Sequence, residues 1–167
     1  MNKPVVGILM GSDSDLPVLE HTVQTLKDFG IPYEISVLSA HRAPSKVAEY
    51  ASSAVKRGLK VLIAAAGGAA HLAGSVAANT TLPVVGLPLN STDLSGLDAL
   101  LATVQMPPGV PVATVAIGKF GAINAAVLAA QILALEDSGL REKLLAHKEQ
   151  LRKKVEQADA KLKSARG

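Results

Sequence analysis

The sequence predicts an α/β protein in which helices cover both faces of a parallel sheet. Short β-branched and aliphatic runs alternate with longer stretches of helical periodicity across the first 135 residues. The strand runs are apolar at successive positions, as strands buried on both faces require. Glycines at 30 and 58 stand where helix C-termini place them, and Pro44 suits a first helical turn.

Taken in order, strands are predicted at Val5–Met10, Tyr33–Ser39, Val61–Ala66, Val84–Leu87 and Val112–Ile117. Helices are predicted at Leu16–Phe29, Pro44–Arg57, Leu72–Asn79, Leu94–Gln105 and Gly121–Leu135. Five strands and intervening helices imply a doubly wound, flavodoxin-like sheet, with the strand order left open. Residues 1–137 form the α/β unit, and residues 138–167 form a helical extension. In that extension Leu140, Leu144, His147, Leu151, Val155, Ala158 and Leu162 recur at spacings of three and four between charges. At 1.5 Å per residue the helix spans about 35–40 Å, more than a domain of this size, so it is expected to pack on a neighbouring subunit. The competing reading is a solvated helix lying on its own domain.

Composition limits the function. An apolar content of 49 % with 19 % charged residues is that of a globular chain. The net charge of +3 divides unevenly: residues 1–137 carry eight Lys/Arg against ten Asp/Glu, whereas residues 138–167 carry nine against four. With no Trp, two Tyr and two Phe there is no stacking platform for single-stranded nucleic acid. No cysteine means no disulfide and no thiolate metal site. The N-terminal apolar run is too short for a signal-peptide core, and Gly67, Gly68 and His71 interrupt the apolar stretch 61–78. A soluble cytosolic protein with no membrane or nucleic-acid partner is expected.

Ligands of open parallel sheets bind beyond the carboxyl ends of the strands. Here the strands run into GSDSD, SAHR, GGAAH, PLNSTDLSG and GKFG, so polar and glycine residues crowd one rim five times. In SAHRAP, Ser39 and Arg42 precede a helix start and combine a hydroxyl, a guanidinium and helix amides, a set suited to a phosphate monoester. The competing reading of Arg42 is a surface arginine. His41 beside them is a candidate proton carrier. In GGAAH, Gly67, Gly68, Ala69 and Ala70 permit close approach by a ligand or by another backbone, or serve tight helix–strand packing. His71 is either a site residue or a cap-region residue, and His21 and His147 carry no assigned chemistry.

The GSDSD loop has hydroxyls and carboxylates together. With Arg42 and Ser39 on the phosphate, helped by Ser12, Asp15 is free to accept from the vicinal hydroxyls of a ribose. Its place on a first helical turn is expected to favour the anion through the helix dipole. Asp13 is read as the helix cap. A ribose 5′-phosphate is therefore the expected ligand. There is no GxxxxGK[ST] and no GxGxxG, and the aromatic faces a flavin needs are missing. A response-regulator receiver needs an acidic phosphoacceptor after the third strand, where Ala66-Gly67 stands. No His/Asp/Glu cluster has metal-ligand spacing.

MGSDSD, SAHRAP, AGGAAHLAG, VQMPPGVPVATVAIG and NAAVLAAQIL, falling in that order between Val5 and Leu135, closely resemble the catalytic subunit of bacterial phosphoribosylaminoimidazole carboxylase. Within that family the resemblance is to the class I form, the N5-carboxyaminoimidazole ribonucleotide mutases of purine biosynthesis. It implies a three-layer α/β/α protomer, a homo-octamer, aminoimidazole ribonucleotides and CO2 as small-molecule ligands, and neither metal nor cofactor. By the same resemblance Ser12, Asp15 and Arg42 correspond to nucleotide-binding positions. His41 corresponds to the catalytic acid/base and His71 to the carboxylate and CO2 pocket. Gly11, Ser39, Ala40, Gly67, Gly68 and Ala69 complete the expected substrate-binding set. Two positions depart from the family pattern: Ala43 replaces a usual threonine and Asn90 a usual glutamine. The alternatives are a class II carboxylase using free CO2 and a non-catalytic phosphoribosyl-binding module. Retention of both His41 and His71 disfavours the second.

Overall fold

The computed structural model describes residues 3–165; residues 1–2 and 166–167 lie outside the described residues. Five strands, β1 (Val6–Met10), β2 (Tyr33–Val37), β3 (Val61–Gly67), β4 (Val84–Leu89) and β5 (Ala113–Thr114), form one parallel sheet in the order β2-β1-β3-β4-β5. The helices are α1 (Leu16–Phe29), α2 (Pro44–Arg57), α3 (Leu72–Ala77), α4 (Leu97–Val104), α5 (Gly118–Leu133) and α6 (Ser138–Ser164).

Side-chain alternation along the central strands builds two cores. Val6, Ile8 and Met10 of β1, with Val61, Ile63 and Ala65 of β3, meet Leu19, Leu26 and Phe29 of α1 and the alanines of α5. Leu9, Leu62 and Ala64 point the other way, onto Val47, Ala51 and Ala54 of α2 and Leu72, Ala73 and Val76 of α3. Three layers result. In α5, Gly121, Ala122, Ala125, Ala126, Ala129 and Ala130 are all buried. Such small side chains let α1 and α5 approach closely enough for Thr22 Oγ1 to donate to the Ala122 carbonyl at 2.8 Å.

The local punctuation acts as expected at α1 and α2. Gly30 (φ 72°) and Gly58 (φ 93°) adopt the left-handed conformation that ends each helix, and Pro44 opens α2. Several boundaries differ from expectation. β5 is confined to Ala113–Thr114, although Val115 N still donates to the Gly86 carbonyl at 3.0 Å. The next residue of β4 facing that edge is Pro88, which has no N–H to continue the ladder. Helix α4 starts at Leu97 rather than Leu94, because Ser95 (φ 54°) and Gly96 (φ 85°) turn the chain left-handed first. Helix α5 starts at Gly118, three residues early, and the third helix stops at Ala77.

The C-terminal helix has two parts. Leu140 is buried in the α1–α5 core, Leu144 packs against it, and Lys143 Nζ donates to the Phe29 carbonyl at 2.7 Å. His147 meets the Phe29 ring edge-on at 5.5 Å. From Leu151 to Ala165 every residue is exposed, including Leu151, Val155 and Leu162 of the apolar stripe.

Candidate active site

The strand order places its switch point between β1 and β3, the neighbours whose following connections run to opposite sides of the sheet. A cleft of about 440 Å³ opens there. Its walls come from the loop after β1 (Gly11, Ser12, Ser14, Asp15), the loop after β2 (Ser39, Ala40, His41, Arg42) and the β3–α3 connection (Ala66, Gly67, Ala69, His71, Leu72), with Ser91 from the loop after β4. Ten of the eleven residues expected from the sequence thus face one space.

Gly68 is the exception. It turns the β3–α3 loop at φ 59°, and its α-carbon faces Thr92 of the loop after β4 rather than the cleft. The close approach expected at Gly67 is real and is made by protein: a Cβ there would lie 1.7 Å from Ser91 Oγ.

In the first loop Ser12 caps the 3₁₀ turn Asp13–Asp15, accepting from Ser14 N at 3.3 Å, while Ser12 N donates to Asp15 Oδ2 at 3.0 Å. This reciprocal capping box replaces the expected cap at Asp13, whose carboxylate accepts from Ser14 N and Ser12 Oγ at the exposed side of the turn. The loop's own oxygens therefore engage the amides that a phosphate would need. The expectation for Asp15 also changes. It closes the 3₁₀ turn and is half-buried, and burial raises its carboxyl pKa above the ordinary 3.8, further helped by the Asp13 charge and opposed by the Ser12 and Gly11 amides. Desolvation here outweighs stabilisation of the anion by backbone dipoles.

The second loop is built differently. Ser39 Oγ accepts from Arg42 N at 3.2 Å and from Arg42 Nε at 3.3 Å, so the serine O–H remains available as a donor. Arg42 Nη2 donates to the Gly11 carbonyl at 3.1 Å, tying the two loops together and leaving Nη1 without a partner among the described residues. Ala43, the N-cap of α2, has no side chain to cap that helix. A hydroxyl, a guanidinium edge and an uncapped helix start converge on the cleft, with no carboxylate in this loop to oppose an anion.

His41 and His71 meet across the third side. His41 Nε2 is 2.8 Å from His71 Nδ1, with the rings 80° apart. His71 occupies the N-cap position of α3, yet its side chain makes no cap hydrogen bond and turns to His41 instead. One nitrogen of the pair must donate and the other accept, so the tautomer of one ring sets that of the other. Both imidazoles are solvent-accessible in the single protomer.

Sequence reasoning missed Ser14, Ala66, Leu72 and Ser91 as lining residues. Serines in polar loops and apolar residues at strand and helix ends carry no signal separating them from their neighbours. Among the described residues no three His, Asp or Glu side chains group so as to hold a metal ion. No described helix is long and apolar enough to cross a membrane.

Known proteins of similar sequence and fold identify the family. Residues 5–154 match the family model described as AIR carboxylase. The chain is 52 % identical over 160 residues to a Pyrococcus horikoshii protein named N5-carboxyaminoimidazole ribonucleotide mutase, covering 96 % of this chain and 89 % of that one. It is 54 % identical to the Bacillus subtilis protein of the same name, over 92 % and 94 % of the two chains. The crystal structure of Treponema denticola PurE superposes with a TM-score of 0.85 at 33 % identity, covering 95 % of this chain and 98 % of that one. With a family model matching residues 5–154 and relatives more than half identical over nearly the whole chain, this chain belongs to the AIR carboxylase family.

Proposed function

We propose that the protein is an N5-carboxyaminoimidazole ribonucleotide mutase, moving a carboxyl group from the exocyclic nitrogen to C4 of the imidazole in de novo purine biosynthesis. The observation that carries this reading is a histidine pair facing, across one cleft, a serine–arginine cradle and a half-buried aspartate. That is the equipment for holding a ribonucleotide while protons move. The mutase name of relatives that match nearly the whole chain supports it.

In this reading Ser39 and Arg42 bind the 5′-phosphate at the start of α2, and Asp15 accepts from the ribose hydroxyls. His41 protonates the exocyclic nitrogen as the carbamate C–N bond breaks, releasing CO2 and leaving aminoimidazole ribonucleotide. The C4 carbon, nucleophilic as part of an enamine, attacks CO2. His41 then takes the proton from C4 as aromaticity returns, and the reaction is a net isomerisation. His71 holds the His41 ring and lines the pocket that keeps CO2 beside C4. Ala66, Gly67 and Ala69 give that pocket small walls, fitting a small apolar molecule.

The reading includes a homo-octamer in the cytoplasm. Support for assembly comes from Leu97, Leu101 and Val104, which form an exposed apolar stripe on α4, and from the free half of α6. A spectroscopic assay decides the reaction. Conversion of N5-carboxyaminoimidazole ribonucleotide in CO2-depleted buffer is expected. Turnover only of aminoimidazole ribonucleotide with bicarbonate would contradict it.

A further inference from the structure

Ser91 stands in the cleft without a structural task. It lies in the segment Asn90–Gly96 between β4 and α4, of which it alone lines the cleft, and where Thr92 carries the side-chain hydrogen bonds. Thr92 Oγ1 donates to Asp98 Oδ2 at 2.7 Å and accepts from Leu94 N at 3.3 Å, and the Asp98 carboxyl is held below its ordinary range first by that hydroxyl. Thr92 and Asp98 thus pin the segment to the first turn of α4. Ser95 and Gly96 hold left-handed backbone, and a Cβ at Gly96 would meet the Leu89 carbonyl and Asn90 Cα at 3.3 Å. The segment is folded tightly over the end of β4.

That frame aims Ser91 at Gly67. Its hydroxyl lies where a Gly67 Cβ would be, so only glycine lets the two loops close to this distance. A serine that merely shapes a turn gives its hydroxyl to nearby backbone. Thr92 does this here, whereas Ser91 Oγ makes no side-chain hydrogen bond among the described residues. It is exposed into the cleft, on the wall shared with Ala66, Gly67, Ala69 and His71.

We infer that Ser91 is a substrate-binding residue that holds the migrating carboxyl group, donating its O–H to a carboxylate oxygen before C–N cleavage and after C–C formation. This rests on the mutase reading. A neutral hydroxyl suits the task, because it can bind the carboxylate without tethering neutral CO2 strongly between the two bond changes. Ser39 and Arg42 on the opposite loop are left for the phosphate.

The test follows the fate of the carboxyl group. N5-carboxyaminoimidazole ribonucleotide is supplied to the full chain in CO2-depleted buffer, and the C4-carboxylated product and released aminoimidazole ribonucleotide are quantified, with spontaneous decay subtracted. Ser91→Ala is expected to raise the ratio of released aminoimidazole ribonucleotide to product by roughly 10- to 100-fold, the loss of one hydrogen bond to a charged group. Affinity for aminoimidazole ribonucleotide itself, which has no carboxyl group, should stay as in the wild type. Ser91→Thr, which keeps the hydroxyl, should restore the ratio. An unchanged ratio in Ser91→Ala, an equal defect in Ser91→Thr, or weaker binding of aminoimidazole ribonucleotide would overturn the inference. A wild-type protein that forms no product would instead overturn the mutase reading beneath it.

Discussion

His41 Nε2 and His71 Nδ1 lie 2.8 Å apart although thirty residues separate them in the chain. The contact joins the loop after β2 to the start of α3, and these lie on opposite sides of β1 in the sheet. A hydrogen-bonded imidazole is a directed one: the bond orients the ring and couples its tautomer to that of its partner.

Arg42 and Asp15 should divide the ligand between them. Arg42→Ala is expected to weaken phosphorylated ligands roughly 10- to 100-fold, the scale of a charge-assisted hydrogen bond, and to leave the nucleosides nearly unaffected. Asp15→Asn should weaken ribonucleotides more than 2′-deoxy analogues. Titration calorimetry across the two ligand series measures this; equal losses in both would refute the division.

The raised carboxyl pKa of Asp15 gives a pH signature of known sign. Between its unfolded and folded pKa values the native state binds the proton more tightly than the unfolded chain. Its contribution to stability is therefore fully present below the unfolded pKa and is lost as pH rises through the raised folded pKa. Ribose binding needs the anion and changes the opposite way. On acidification through this window the wild type should gain stability relative to Asp15→Asn while losing ribonucleotide affinity. Paired denaturant titrations and binding isotherms over pH test both arms, and parallel curves for the two proteins would contradict them.

Gly121 is required by packing at the end of β5. A Cβ there would lie 1.6 Å from the Ala116 carbonyl oxygen, and backbone cannot swing aside as a side chain can. Gly121→Ala should cost about 1–3 kcal/mol, despite alanine's better helix propensity. A higher melting temperature in this variant would show that the contact relaxes freely.

The two parts of α6 should separate on truncation. Removing residues 151–167 leaves Leu140, Leu144 and the His147–Phe29 contact in place, so the protomer should stay folded. At about 25 cal/mol per Å², burying Leu151, Val155 and Leu162 on a neighbour would contribute several kcal/mol per subunit. Light scattering should find a smaller assembly with reduced activity. An unchanged mass with full activity would make this segment a solvated appendage.

What was legible in the sequence follows from the range of the forces involved. Helices α1 and α2 can be bounded to the residue because Gly30, Gly58 and Pro44 act through their own backbone geometry. The length of β5 and the start of α4 depend on Pro88 in a neighbouring strand and on left-handed backbone at Ser95, neither of which periodicity registers. Loop motifs brought Ser39, His41, Arg42 and Asp15 to notice one by one, but the His41–His71 bond needs the sheet order. The pKa of Asp15 needs its burial, which is tertiary. Ser91 matters only because Gly67 lies beneath it.

The central claim is that His41 moves protons rather than holding the nucleotide. The direct measurement compares wild type and His41→Asn for conversion of N5-carboxyaminoimidazole ribonucleotide and for binding of aminoimidazole ribonucleotide in the same buffer. Loss of a general acid/base lowers turnover by about 10²–10⁴-fold, and more where one group acts twice. The account predicts a loss of at least that size with nearly unchanged affinity. Near-normal turnover, or a loss of affinity large enough to explain the loss of rate, would contradict it.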